Sequence, residues 1–318
     1  MTLFLRHRLL IAFGFFHISS FSQKTESYYD YSWKPCPAEK ARFYSLVEKT
    51  DSGWLRKDYF LGSSSLQMQA LYADMACRTS NGHYFYFHAN GRASSVGKAL
   101  NGKDEGICIR YYSNGMMADS ADFSKGRPVG SRVRWHSNGF MSDSIYHIND
   151  SADVHISWFD DGTLSSAGYL LHGKLHGKWK YYHRSGNPSA EITYDKEKPV
   201  TEKYFNEDGS VLGNPKHANR DATFKEGIEA WQKYLFRNLY WPPGLEFSQA
   251  GEAVVVVQMT VNESGNVEEV EVVTPLHPAF DKIALKIVQE SPAWTPAIKQ
   301  NRKVKSSFRQ PVTFQQND

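Results

Sequence analysis

Ile107-Cys108-Ile109-Arg110-Tyr111-Tyr112-Ser113-Asn114-Gly115 is the stretch whose reading decides the fold of this chain. Ile107, Ile109 and Tyr111 alternate with Cys108 and Arg110, the period-two pattern of a β-strand. The run ends on Asn114-Gly115, and Asn-Gly after an alternating run is the strongest short hairpin signal. A type I′ turn, with positive φ at both central residues, is expected there. Asn90-Gly91, Asn114-Gly115, Asn138-Gly139, Asp161-Gly162, Ser185-Gly186 and Asp208-Gly209 follow one another at 23 or 24 residues. A second column leads the glycines of the first by nine positions: Gly82, Gly106, Gly130, Asp153 in place of a glycine, and Gly177. Self-similarity at one period means stacked copies of one supersecondary unit.

Outward from that stretch the alternation continues. Phe85 and Phe87 precede the first turn, Val133 and Trp135 the third, and Val154, Ile156 and Trp158 the fourth. Arg132, Arg134, His155 and Ser157 fall between them, on the opposite face. In the unit ending at Gly186 the pattern shifts by one, to Trp179 and Tyr181. Asn101-Gly102, Lys125-Gly126 and His172-Gly173 supply the return turns. The expected product is one long meandering antiparallel sheet, with Phe87, Tyr111, Trp135 and Trp158 on a common face. Tyr111 to Gly115 and His172-Gly173-Lys174-Leu175-His176-Gly177-Lys178-Trp179 resemble the MORN-like repeats of the bacterial YwqK family. The resemblance covers residues 53–213, with a degenerate first copy around Tyr59-Phe60 and Leu66-Gln67-Met68. It implies an extended scaffold; proteins that bear it are labelled antitoxin-like.

The chain has 318 residues, 41% hydrophobic and 14% aromatic, enough for two or three folded domains. Formal net charge is +3, without the concentrated basic face that nucleic acid requires. Residues 1–22 read as a signal peptide: Arg6, His7 and Arg8, then apolar Leu9 to Phe16, then Ser20-Phe21-Ser22, with cleavage between Ser22 and Gln23. Export permits disulfides. Of the three cysteines, Cys36 and Cys77 are the candidate pair, since both lie outside the regular alternation; Cys108 faces away from Ile107 and Ile109. Residues 23–52 read as an irregular lead-in that caps the first repeat. His136, His155, His172, His176 and His183 occupy different columns of the repeat and read as turn and strand-surface residues. No Cys-x-x-Cys, nucleophile elbow or phosphate loop occurs, so no enzyme, metal, cofactor or small-molecule substrate is indicated.

Residues 214–222 form a polar linker, and 223–318 change character. Ile228, Trp231, Leu235 and Leu239 follow helical spacing up to Trp241-Pro242-Pro243-Gly244. Glu252 to Val261 is a strand, Asn262-Glu263-Ser264-Gly265 a turn, and Asn266 to Val273 the return. A second helix starts at Pro278 with Phe280, Ile283, Ala284, Ile287 and Val288 on its apolar face. Trp294 is expected under it, and Val304 to Phe314 is the last strand. Asn238-Leu239-Tyr240-Trp241-Pro242, the 262–265 hairpin, Pro292-Ala293-Trp294-Thr295-Pro296-Ala297 and Gln310-Pro311-Val312-Thr313-Phe314 resemble the C-terminal domain of TonB, over residues 223–315. The fold class is thus mainly β with a small α+β domain: a hairpin-repeat sheet, then a three-stranded sheet with two helices.

The TonB resemblance implies an exported envelope module that binds extended peptides of outer-membrane transporters by strand addition. The edge it implies is Val304, Lys305, Ser306, Ser307, Phe308, Arg309 and Gln310. Lys299, Arg302, Lys303, Lys305 and Arg309 crowd that end with no acid between Ile298 and Asn317, which favours acidic partners. Two other readings stay open: an energy transducer for transmembrane transport that retains its N-terminal anchor, and a purely structural or antitoxin-like repeat protein.

Overall fold

The structure, a computed structural model, describes residues 24–215, 218–245 and 253–315. The expected signal peptide and its Ser22–Gln23 junction lie outside these residues. Among the described residues no helix is long and apolar enough to cross a membrane. A 16-stranded antiparallel sheet takes up the chain from Lys24 to Tyr204. It opens with β1 (Lys24–Tyr29), β2 (Phe43–Thr50), β3 (Gly53–Phe60) and β4 (Ser65–Tyr72). Next come β5 (Ser80–Phe87), β6 (Ala93–Leu100), the short β7 (Lys103–Asp104) and β8 (Gly106–Tyr111). Then follow β9 (Met117–Ser124), β10 (Arg127–Trp135), β11 (Met141–Asn149) and β12 (Ala152–Trp158). The last are β13 (Leu164–Leu171), β14 (Lys174–Tyr182), β15 (Pro188–Asp195) and β16 (Lys198–Tyr204). Apart from β7, which pairs only with β6, each strand pairs with its neighbour in sequence. The expected meander is the observed topology.

The two rims of this array use different turns. On one rim the N–H groups of Gly91, Gly115, Gly139 and Gly162 donate to the carbonyls of His88, Tyr112, His136 and Phe159 at 2.9 Å. Only the glycine of each turn has positive φ, between 82° and 92°. These are loops with one left-handed glycine, not the expected type I′ turns. The asparagine, in ordinary backbone geometry, is free to staple two units. Asn114 Oδ1 accepts from the Met116 N–H at 2.9 Å, while Nδ2 donates to the Ser137 carbonyl of the next unit at 2.8 Å. Asn90 and Asn138 donate likewise to the Ser113 and Asp160 carbonyls. His88, Tyr112, His136 and His183 add a parallel row, bonding the carbonyls of Tyr111, Trp135, Trp158 and Phe205. Type I′ geometry belongs to the opposite rim, where both residues of Asn101-Gly102, Lys125-Gly126 and His172-Gly173 have positive φ.

Register decides the faces. Phe87, Tyr111, Trp135 and Trp158 pair with Ala93, Met117, Met141 and Leu164, the equivalent position after each turn, and so share one face. The opposite face carries a continuous row: Tyr86, Ser95, Arg110, Asp119, Arg134, Asp143, Ser157, Ser166 and Tyr181. Asp119, Asp143, Ser166 and Tyr181 of this row are buried, whereas Ile107 and Tyr169 on the first face are exposed. The polar residues between the apolar ones are therefore the inward set. The one-residue shift at Trp179 and Tyr181 places two aromatics inward, where they join Leu170, Ile192, Tyr194 and Tyr204 in a second core.

Two expectations for the first 80 residues are corrected. The lead-in is not irregular throughout: β1 and β2 pair in unbroken register from Lys24↔Glu48 to Tyr29↔Phe43 and extend the sheet. Cys36 and Cys77 are not bridged; all three cysteines are free. The Cys36 N–H bonds Tyr28 on the outer edge of β1, and Cys77 follows β4. Three strand spacings of about 4.8 Å separate those places, well beyond the reach of a disulfide.

The C-terminal unit contains β17 (Thr223–Phe224), α1 (Ile228–Asn238), β18 (Ala253–Val261), β19 (Val267–Thr274) and α2 (Pro278–Gln289). It ends with β20 (Trp294–Thr295), β21 (Ala297–Lys299), β22 (Arg302–Val304) and β23 (Ser306–Phe314). Its main sheet has the order β19-β18-β23. The α2 face is buried as expected, but on α1 only Trp231 and Leu235 are buried, and Ile228 is exposed. Trp294 shares one core with the α2 face, and its ring neighbours are Phe224, Trp231 and Phe308 at 5.1–5.6 Å. The first of these belongs to β17 and the second to α1. Val255, Val257 and Met259 face the helices, yet Val254, Val256 and Thr260 between them are buried too, because the other face of β18 lies on the array. The 214–222 linker is held in place at its described end: Ala218 is buried in the second core, and Arg220 exchanges backbone hydrogen bonds with Ile298.

Candidate functional site

β23 pairs with β18 in unbroken register from Ser306↔Val261 to Phe314↔Ala253. Among the described residues no strand pairs with its other edge. Pro311 sets the parity of that edge. Proline lacks an N–H and is tolerated in a strand where that N–H would face away from the partner. Ser307, Arg309 and Thr313 share its parity, so their backbone groups face the open side, whereas Ser306, Phe308, Gln310 and Val312 pair inward. Along the open side runs a groove of about 660 Å³ between α1 and the end of β23, lined by Leu235, Phe236, Leu239, Tyr240, Pro311 and Phe314. Phe236 is 76% and Tyr240 58% exposed, large values for aromatic side chains.

Of the seven residues expected at this site, Ser307 and Arg309 turn their backbone groups to the open edge, Ser306, Phe308 and Gln310 pair with β18, and Val304 and Lys305 precede the strand; their side chains are employed differently. Val304 pairs with Ala297 in the β21–β22 hairpin, and Phe308 packs on Trp294. The Ser307 and Thr260 hydroxyls are 3.0 Å apart, and Gln310 Oε1 accepts from Trp231 Nε1 at 2.9 Å. Ser306 pairs with Val261 at the start of the strand. Lys305 points away from the edge: Nζ lies 2.9 Å from Asp160 of the array and 2.5 Å from Glu268 of β19. The expected basic crowd therefore disperses. Lys299 pairs with Asp221 at 2.7 Å. Arg302 is drawn under the array, where its Nη1 donates to the Ser165 hydroxyl at 2.6 Å and to the Tyr182 carbonyl at 3.3 Å. Burial pushes its guanidinium down to about 10. Arg309 makes no ion pair among the described residues; Nε donates to Gln258 Oε1 at 3.3 Å. Phe236 was missed in the sequence because it lies off the periodic stripe of α1, and Tyr240, two residues past the helix, was read only as part of the family motif.

A cluster of charges fixes the unit on the array. Arg184 contacts Asp160 at 2.7 Å, Asp161 at 3.0 Å and Glu263 of the β18–β19 turn at 2.6 Å. Burial alone would raise the Asp160 carboxyl, but hydrogen bonds from Lys305 and Arg184 outweigh it and bring it down to about 2. The Lys305 ammonium is raised in turn: burial opposes its charge, and Glu268 and Asp160 more than compensate. Ser137 of the array bonds Glu269, and Asn301 Nδ2 donates to the Phe205 carbonyl at 2.7 Å.

Among known families, residues 246–315 match the model described as Gram-negative bacterial TonB protein C-terminal. Residues 175–196 match the MORN repeat variant. Both lie inside the stretches where the sequence showed the resemblance, in the expected order. The first match runs from before β18 through β23 and leaves α1, the outer wall of the groove, outside it. No curated protein matches the chain.

Proposed function

We propose that this chain is an exported binding module of the bacterial envelope that takes up an extended peptide as a fourth strand beside β23. The TonB C-terminal family mediates protein–protein interaction in the envelope and is not enzymatic. The observation that carries the reading is that, among the described residues, β23 pairs on one side only: one edge is complete, and the other is bordered by a groove with exposed aromatics. Backbone hydrogen bonds supply affinity in such docking, and alternate side chains supply choice. The partner class is a TonB-box-type segment of an outer-membrane transporter, with the array as scaffold and residues 1–22 removed on export.

The test is a titration of the full chain with such peptides, read by backbone amide shifts. The Ser307, Arg309 and Thr313 amides move if the peptide adds where proposed. Silence along the whole of β23 leaves the chain as a structural repeat protein. Sequencing of the mature amino terminus checks export separately: Gln23 supports it, and a retained Met1 favours the anchored transducer.

A further inference from the structure

We infer that the repeat array is the second wall of the peptide slot, and that it selects strands carrying an acidic side chain on the array side and apolar side chains on the α1 side. The inference rests on strand addition at β23. Three observations carry it.

The first is continuity. Arg110 and Asp119 line a cleft together with Arg309 and Gln258 of the C-terminal sheet. They also line an adjoining concavity of about 250 Å³ with Cys108, Ala121 and Arg132, and no residue of the C-terminal unit takes part in that one. The inward face of the array thus continues past the free edge of β23, uncovered. A strand added at about 4.8 Å from β23 lies over it.

The second is alternation. Side chains of the added strand point in turn to the two faces of the extended sheet. One face meets α1 and the segment after it, where Phe236 and Tyr240 stand exposed. The other meets the array.

The third is charge. Asp119 is the carboxylate partner of both Arg110 and Arg132, with Arg132 Nη2 at 2.6 Å and Nε of each arginine at 3.0 Å. The Arg110 side chain is still 59% exposed. Arg309, exposed above it, has no carboxylate partner among the described residues. Around the two clefts Arg110, Arg132, Arg134 and Arg309 stand against the carboxylates of Asp104, Asp119 and Glu271, so the guanidinium of Arg309 is left for an incoming anion. Arginine forks take a carboxylate in two parallel hydrogen bonds, which a neutral amide answers poorly.

The experiment uses the full chain and two synthetic capped peptides, one alternating Glu and Val and one alternating Gln and Val. The Glu peptide is expected to bind about tenfold more tightly, the worth of one charge-assisted hydrogen bond. Arg309→Gln and Arg110→Gln should each bring the ratio of the two affinities close to one. Melting temperature and the amide shifts of β18 report whether a variant is still folded and docked. Phe236→Ser should weaken both peptides equally. Equal affinity of the two peptides for the native chain, with β23 amides still moving, overturns the role of the array and leaves strand addition standing. Absence of any shift along β23 with either peptide overturns both.

Discussion

Gly115 is required for its backbone, not for space. Its φ is +92°, and a Cβ there would meet nothing closer than Arg92 at 3.9 Å. Gly115→Val is expected to cost about 1 kcal/mol or more through strain alone, seen as a lowered melting temperature. At the site, neighbouring residues of β23 have opposite duties. Phe308→Pro removes an N–H that pairs with β18 and displaces a ring from Trp294, so it should unfold the C-terminal unit. Ser307→Pro removes an N–H on the open side, so the unit should stay folded and lose peptide binding. Circular dichroism and a peptide titration on the two variants separate these outcomes. Reversed outcomes would place the open side on the other parity.

Among the elements, β18 is buried on both faces. Val255 is fully buried against the helices, and Val254, 1% exposed, is buried on the other side. Valine to alanine at either position removes about 1.5 kcal/mol of burial. Val255→Ala should lower the melting of the C-terminal unit. Val254→Ala should chiefly loosen its docking, detected as faster hydrogen exchange of β18 and the facing array strands. The run Val254 to Val257 is what a strand without a solvent face looks like, so this second contact was present in the sequence but unread. The hairpin meander was legible because each turn repeats its glycine at a fixed spacing. Which face turns inward was not, since Arg110, Asp119 and Arg132 look like surface residues until register makes them cross-strand partners. β1 and β2 escaped notice because Asp51 and Ser52, not Asn-Gly, turn the chain between β2 and β3. The β23 edge followed from family resemblance, whereas the α1 aromatics carried no periodic signal.

For the whole molecule, the charge cluster predicts a response to acid. Asp160 has its carboxyl near 2 in the folded chain against an ordinary 3.8, and Glu268 is lowered as well. A lowered carboxyl contributes stability that is complete above about pH 4 and is lost as pH falls toward 2. For Asp160 the contribution is on the order of 2 kcal/mol. Small-angle scattering should therefore show the C-terminal unit leaving the array between pH 4 and pH 2, with the strand content of the array retained. Asp160→Asn should bring that separation closer to neutral pH and flatten its pH dependence. An unchanged profile in the variant would mean that other contacts hold the unit.

The footprint of the C-terminal unit also makes the array a length gauge. Near one end, Gly62 abuts the Leu276 carbonyl and the Arg42 guanidinium senses Asp281. Toward the other, Asp160 and Ser165 hold Lys305 and Arg302. A rigid core spans the two anchorages. Excision of residues 116–139, one full period, leaves turn and strand grammar intact but brings the anchorages closer by two strand spacings, about 10 Å. Such a chain should form a shorter sheet on which the unit seats at one end only, visible as exchange protection lost at β12 and β13 but kept at β3. Repeat families ordinarily gain and lose copies freely; here the number of copies between Gly62 and Asp160 is dictated by the size of the body they carry.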